Sequence, residues 1–166
     1  MKADKIYLVG FMAVGKTTVA RALAKRLDWQ AVDIDELIEQ QEHAPVADIF
    51  AKQGEAYFRA AERRVLTVQL TPRYLVVATG GGTFVDVQNR AAINSDGVSV
   101  WLDVPLDRLV SRVPADGRRP LAADRAGFER LYYQRRAAYE QAHVRLDAGR
   151  AGVDALVEQL VDWLEH

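Results

Sequence analysis

No cysteine occurs anywhere in the 166 residues, so no disulfide framework and no thiolate metal site can exist in this chain. Such a composition suits a reducing compartment, and the expected setting is the cytoplasm. Histidine is nearly as scarce. His43, His143 and His166 are scattered, and no pair has the spacing that puts two metal ligands on one helix face. No apolar run approaches the ~20 residues a membrane-spanning helix needs. The run Ile6-Tyr7-Leu8-Val9 is stopped at once by Gly10, too short for a signal-peptide core. An excess of one charge sign is also missing: 22 basic and 23 acidic residues nearly cancel. That balance gives no electrostatic reason to expect a nucleic acid or a membrane surface as partner. Internal repeats, low-complexity tracts and interdomain linkers are absent as well.

What is present is the balance of a globular protein, with 49% apolar and 27% charged residues. One domain spanning 1–166 is expected, monomeric and large enough to bury a core without staples. Short apolar runs alternate with longer amphipathic stretches. Strands are predicted at Ile6–Val9, Ala31–Ile34, Arg73–Ala78, Val98–Leu102 and, more weakly, Val144–Leu146. Their lack of strict alternation suits a parallel sheet buried on both faces. Helices at 3.6-residue spacing are predicted at Thr17–Leu27, Glu55–Leu70, Asp86–Asn94, Leu106–Val113, Phe128–Ala142 and Val153–Leu164. Alternation of this kind means a doubly wound, three-layer α/β fold, with a five-stranded parallel sheet flanked by helices. The three tryptophans, Trp29, Trp101 and Trp163, fall in a strand or at element ends, where core packing explains them.

Gly10-Phe11-Met12-Ala13-Val14-Gly15-Lys16-Thr17 matches G-x-x-x-x-G-K-[ST], with a buried strand before it and a helix after it. Glycines let backbone N–H groups curl around a phosphate, and the helix N-terminus adds its partial positive charge. Lys16 neutralises the β- and γ-oxygens, and the Thr17 hydroxyl is a ligand for Mg²⁺. The loop is therefore expected to bind a nucleoside triphosphate. β-Branched Val14 crowds it without removing a donor.

A second acidic element has two candidates. Asp103 ends the apolar strand Val100-Trp101-Leu102, although Pro105 turns the chain soon after. Asp33 and Asp35 stand at the end of the second strand, where parallel sheets collect ligands. Two carboxylates so placed can serve different partners, one a metal-bound water and the other a hydroxyl proton. Alternatively, Asp35 only caps a helix over Glu36–Glu42. Further along, Arg59 and Glu62 share one helix face and can pair. The third strand ends in Gly80-Gly81-Gly82, which permits close approach of backbone to a ligand or simply makes a tight turn.

Taken together, these residues resemble the shikimate kinase family over essentially the whole chain. The matching pieces are Gly10–Thr17, Asp33-x-Asp35, Ile49-Phe50-x3-Gly54-Glu55-x2-Phe58-Arg59-x2-Glu62, Gly80–Gly82, Arg119-Pro120-Leu121 and Arg135-x3-Tyr139-Glu140. The resemblance implies transfer of the ATP γ-phosphoryl group to the 3-hydroxyl of shikimate, with Mg²⁺, in the pathway to aromatic amino acids. It implies that Asp35 contacts the attacking hydroxyl and that Arg59, Arg135 and the Gly80–Gly82 backbone hold the acceptor, with Glu62 orienting Arg59. On the nucleotide it implies Ala13, Val14, Gly15, Lys16, Thr17 and Thr18 at the phosphates and Arg112 near the adenine. Thr17 would hold the metal directly and Asp33 through water. Acceptor binding is assigned to roughly 33–62. A mobile lid is assigned to roughly 113–125, from which Arg119 closes over the phosphates as a catalytic cation with Lys16. The chain departs from the family pattern at Ala13 and near His43, where glycine is usual, and at Ala122 and Ala137, where leucine and proline are usual.

Two other readings are compatible with the residues alone. A kinase for a related carboxylate-bearing polyol, such as aminoshikimate or a sugar acid, would use the same arginines. A low-turnover regulatory homologue would keep the nucleotide loop but has no need of Asp35.

Overall fold

A computed structural model of the chain describes residues 1–112 and 125–166. Its centre is a five-stranded, fully parallel sheet in the order β2-β3-β1-β4-β5. The strands are β1 (Lys5–Val9), β2 (Gln30–Asp33), β3 (Leu75–Ala78), β4 (Val98–Asp103) and β5 (Val144–Asp147). β1 and β3 are buried along their whole length, as their unbroken apolar runs require. β5, an edge strand, alternates half-buried and exposed positions, which is why its sequence signal is weak.

Eight helices are described: α1 (Lys16–Leu27), α2 (Ile34–Glu42), α3 (Val46–Gln53), α4 (Glu55–Gln69), α5 (Val87–Asp96), α6 (Leu106–Val110), α7 (Arg125–Tyr139) and α8 (Val153–Glu165). α1 buries Val19, Ala20, Leu23 and Ala24 on one stripe, and α8 buries Leu156, Val157, Leu160, Val161 and Leu164. Each fully buried aliphatic side chain contributes about 1.5–3 kcal/mol, so these stripes, more than helix propensity, hold both helices on the sheet. Lys25 and Arg26 complement the dipole at the end of α1. No helix among the described residues is long and apolar enough to cross a membrane.

Several boundaries differ from expectation, each for a local reason. β2 starts one residue early at Gln30, whose N–H bonds Tyr74 O. β3 begins at Leu75 rather than Arg73, because Tyr74 is left-handed (φ 55°) and Arg73 turns out to ion pairs with Asp4 and Asp96. α6 stops at Val110, and Arg112 lies in the turn beyond it. α7 runs from Arg125 to Tyr139 instead of Phe128–Ala142, and residues 140–142 form the turn that feeds β5. A short 3₁₀ turn, Thr83–Val85, separates the glycine run from α5. The lid expected at 113–125, with Arg119 and Ala122, falls outside the described residues except for Arg125, which opens α7.

Candidate active site

The carboxyl ends of β1, β2 and β3 meet at one edge of the sheet, and the loops leaving them enclose two adjoining spaces. The larger, about 630 Å³, is lined by Ala13 through Thr18, Asp33, Asp35, Thr79, Gly80, Gly81 and Arg112, among others. The smaller, about 70 Å³, is lined by Met12, Phe50, Phe58, Arg59, Glu62, Gly82 and Arg135, and again by Asp35, Val46, Gly80 and Gly81. Every expected nucleotide-site residue that is described therefore faces one cleft, and every expected acceptor residue faces its neighbour.

In the phosphate loop, Gly15 is left-handed (φ 95°) and releases the chain directly into α1. Ala13 is also left-handed (φ 66°), a conformation that costs an L-residue roughly 1–2 kcal/mol and that a glycine would adopt freely. The Lys16 ammonium is buried and donates to Gly10 O (2.6 Å) and Phe11 O (2.9 Å), lying across the loop whose bound phosphates it is expected to neutralise. Arg112 Nη1 reaches Ala13 O (3.4 Å), which ties the turn after α6 to the same loop.

The two aspartates are separated by the structure. Asp33 is the helix cap: its Oδ1 accepts from Glu36 N (3.0 Å), and its Oδ2 accepts from the Thr17 hydroxyl. The capping role considered for Asp35 thus belongs to Asp33, since α2 starts at Ile34 and Asp35 lies inside its first turn. Asp35 packs against the glycine run, where a Cβ on Gly80 would stand 2.7 Å from its Oδ1. Asp103, the other acidic candidate, is buried, lines neither space and is held by Arg136 (2.9 Å) and Arg145 (2.6 Å). It is a structural residue.

In the recess, Arg59 Nη1 pairs with both oxygens of Glu62 (3.1 and 3.2 Å), and Glu62 is 1% exposed. The guanidinium lies over Gly82 so closely that a Cβ there would be 2.5 Å from Nη2. Arg135 sits over Gly81 and about 5.8 Å from the Phe11 ring. Burial pushes its pKa below the usual arginine value, and the neighbouring Arg59 charge acts in the same direction. The Tyr139 hydroxyl donates to Gly81 O, and burial raises its pKa strongly. Tyr139 stands four residues from Arg135, one helical turn away, so the spacing alone placed it beside that arginine. Thr83, which backs the recess through its bond to Glu62, gave no such signal.

A phosphate cleft that opens into a cationic recess, with one carboxylate at the boundary, defines a P-loop phosphotransferase. Comparison with known proteins narrows that class: the shikimate kinase family profile matches residues 12–165. A shikimate kinase of Persephonella marina is 42% identical over 142 residues, covering 85% of this chain and 87% of the relative. One from a Sulfurihydrogenibium species is 38% identical, covering 94% and 95%. Among solved structures, a shikimate kinase from Acinetobacter baumannii in complex with shikimate superposes with a TM-score of 0.92 at 32% identity, covering 98% of this chain and 93% of that one. The chain belongs to the shikimate kinase family.

Proposed function

We propose that this chain transfers the γ-phosphoryl group of ATP to the 3-hydroxyl of shikimate, giving ADP and shikimate 3-phosphate in aromatic amino-acid biosynthesis. The assignment of roles rests on one observation: Asp35 lines both the nucleotide cleft and the acceptor recess. A hydroxyl held in the recess and aimed at the γ-phosphate must pass that carboxylate, which is placed to accept its proton. Lys16 gives up its carbonyl partners and neutralises the phosphate oxygens, while the loop N–H groups cradle them. Arg59 and Arg135 grip the acceptor carboxylate, each able to offer two parallel N–H donors. Gly81 and Gly82 leave the space for Arg135 and Arg59 to approach, and Gly80 leaves it for Asp35. Arg119, by the family pattern, adds a further cation to the phosphates.

The hydrogen-bonded Thr17 hydroxyl and Asp33 carboxylate are hard oxygen donors and suit Mg²⁺, which is bound by few protein ligands and keeps several waters. When bound, the ion supplies charge neutralisation at the β- and γ-phosphates.

A coupled assay of shikimate-dependent ADP release tests the roles. Asp35→Asn should lower kcat by about a hundredfold or more and leave the KM for ATP within about twofold. Asp33→Asn should instead raise the Mg²⁺ concentration needed for half-maximal rate. Equal and mild effects from both would reduce the pair to structural residues.

A further inference from the structure

Thr83 lies behind the wall of the acceptor recess, bonded to Gly80 and Glu62, which line it, and none of the roles above uses it. It opens the 3₁₀ turn after the glycine run and is fully buried (0% exposed). Gly80 N–H donates to its Oγ1 at 2.9 Å, and the same oxygen lies 2.8 Å from Glu62 Oε2. Chemistry sets the direction of both bonds. A backbone N–H only donates and a carboxylate only accepts, so the single hydroxyl proton points at Glu62. A second bond, from Thr83 N to Gly80 O (3.3 Å), closes the turn from the other side. Glu62 in turn holds Arg59 through both oxygens.

We infer that Thr83 is a positioning residue for the acceptor: its hydroxyl joins the Gly80–Gly82 turn to Glu62, and so fixes Arg59 over Gly82 and Asp35 against Gly80. The inference rests on the acceptor-site reading of Arg59 and Asp35. Both groups lie directly against the turn, since a Cβ at Gly80 or Gly82 would overlap Asp35 or Arg59, so a shift of the turn is felt by both. Take the hydroxyl away, and a buried donor and a buried acceptor face each other across the lost atom. Leaving both unmade is costly, so either the turn or Glu62 must move to bring them together. That movement displaces Arg59 from the acceptor carboxylate, and misplacement of about 1 Å is enough to cost large factors in rate or affinity. No residue of the phosphate loop Gly10–Thr17 takes part in this chain of bonds.

Steady-state kinetics of Thr83→Val and Thr83→Ser, beside Arg59→Lys and thermal melts of each, provide the test. Valine keeps the shape and deletes the hydroxyl; serine keeps the hydroxyl and deletes the methyl. The expected result is a rise of about tenfold in the KM for shikimate in Thr83→Val, with the KM for ATP within about twofold. Thr83→Ser should restore the acceptor KM to within about twofold of the parent even if its melting temperature falls, which packing alone would not predict. Should Thr83→Val fail to fold, Thr83→Ala against Thr83→Ser carries the same contrast. An unchanged acceptor KM in the variant lacking the hydroxyl, or serine behaving like valine, overturns the inference. If Arg59→Lys also leaves the acceptor KM unchanged, the acceptor-site reading itself falls; if Arg59→Lys raises it and Thr83→Val does not, only the role of Thr83 falls.

Discussion

Arg135 is 7% exposed and, among the described residues, has no carboxylate in ion-pair contact, whereas Arg59 is held by Glu62 at 3.1 Å and Glu55 at 3.6 Å. The two guanidinium groups of the recess therefore differ in what the fold already gives them. Arg59 is neutralised in place, while Arg135 is a desolvated cation with a phenol beside it, a state that favours an anion from outside. Losing one member of a desolvated charge pair costs roughly 2–5 kcal/mol, so Arg135→Met should weaken acceptor binding by about one and a half to four decades. The same change removes a costly buried charge, and the melting temperature should hold or rise. Arg59→Met should lower it, because Glu62 is then buried without its cation. Titration calorimetry and thermal melts on the two variants check the pair of outcomes; a loss of stability in Arg135→Met would mean that its charge is compensated within the protein. At the same scale, the departures from the family pattern gain a physical meaning. Ala13 and His43 are both left-handed (φ 66° and 55°), the conformation that makes glycine usual at such positions.

At the scale of elements, α7 does two jobs with consecutive residues. Arg135 faces the recess, and Arg136, turned by about 100° along the helix, reaches Asp103 at the end of β4. Arg145 from β5 binds the same carboxylate, and the Arg136 guanidinium lies 4.8 Å from the centre of the Trp101 ring. Tyr132 adds a bond from its hydroxyl to Val104 O (2.9 Å), one turn earlier on the helix. Asp103 is thus the post to which α7 and β5 are tied. Asp103→Asn keeps the shape but loses the charge. Both arginines retain some exposure and can turn to water, so the expected cost is about 2 kcal/mol, or roughly 5 °C in melting temperature. The KM for ATP should stay unchanged. A variant as stable as the parent would show that the triad contributes no net stability.

At the scale of the molecule, the carboxylates with lowered pKa among the described residues, Asp4, Asp86, Asp96 and Asp103, line neither the nucleotide cleft nor the acceptor recess. Burial pushes Asp96 up, but hydrogen bonds from Tyr7, Arg73 and Lys5 outweigh it and leave its pKa below the ordinary value. Burial likewise raises Asp103, and Arg136 and Arg145 reverse the sign. Asp96 sits near the amino ends of the strands and Asp103 at the carboxyl end of β4, so the ion pairs brace opposite ends of the sheet. A carboxylate depressed in the folded state takes up its proton first in the unfolded state. Its contribution is complete above the unfolded value of about 3.9 and is lost as the pH falls through the folded value. Denaturant midpoints should therefore be flat from about pH 7 to 5 and decline below about pH 4, with Asp96→Asn flattening the decline. Stability that stays constant through that acid range would show that these pairs contribute nothing.

The sequence by itself determined the doubly wound sheet, the phosphate loop and the helix faces, because these depend on runs and spacings carried by neighbouring residues. Ile6–Val9, Gly10–Thr17 and the Val19, Leu23 stripe are legible for that reason. It also put Arg59, Glu62, Gly80–Gly82 and Arg135 in order along the chain, with a family pattern to join them. Only the tertiary structure decided which carboxylate does what. Asp33, Asp35 and Asp103 all follow apolar strands, yet one caps α2 and binds Thr17, one borders both cavities, and one anchors α7. Those differences come from partners far away in sequence, as does the bond of Thr83 to Glu62, 21 residues earlier. A side chain's local pattern fixes the face it occupies, but its chemical role depends on which distant groups packing brings within about 3 Å.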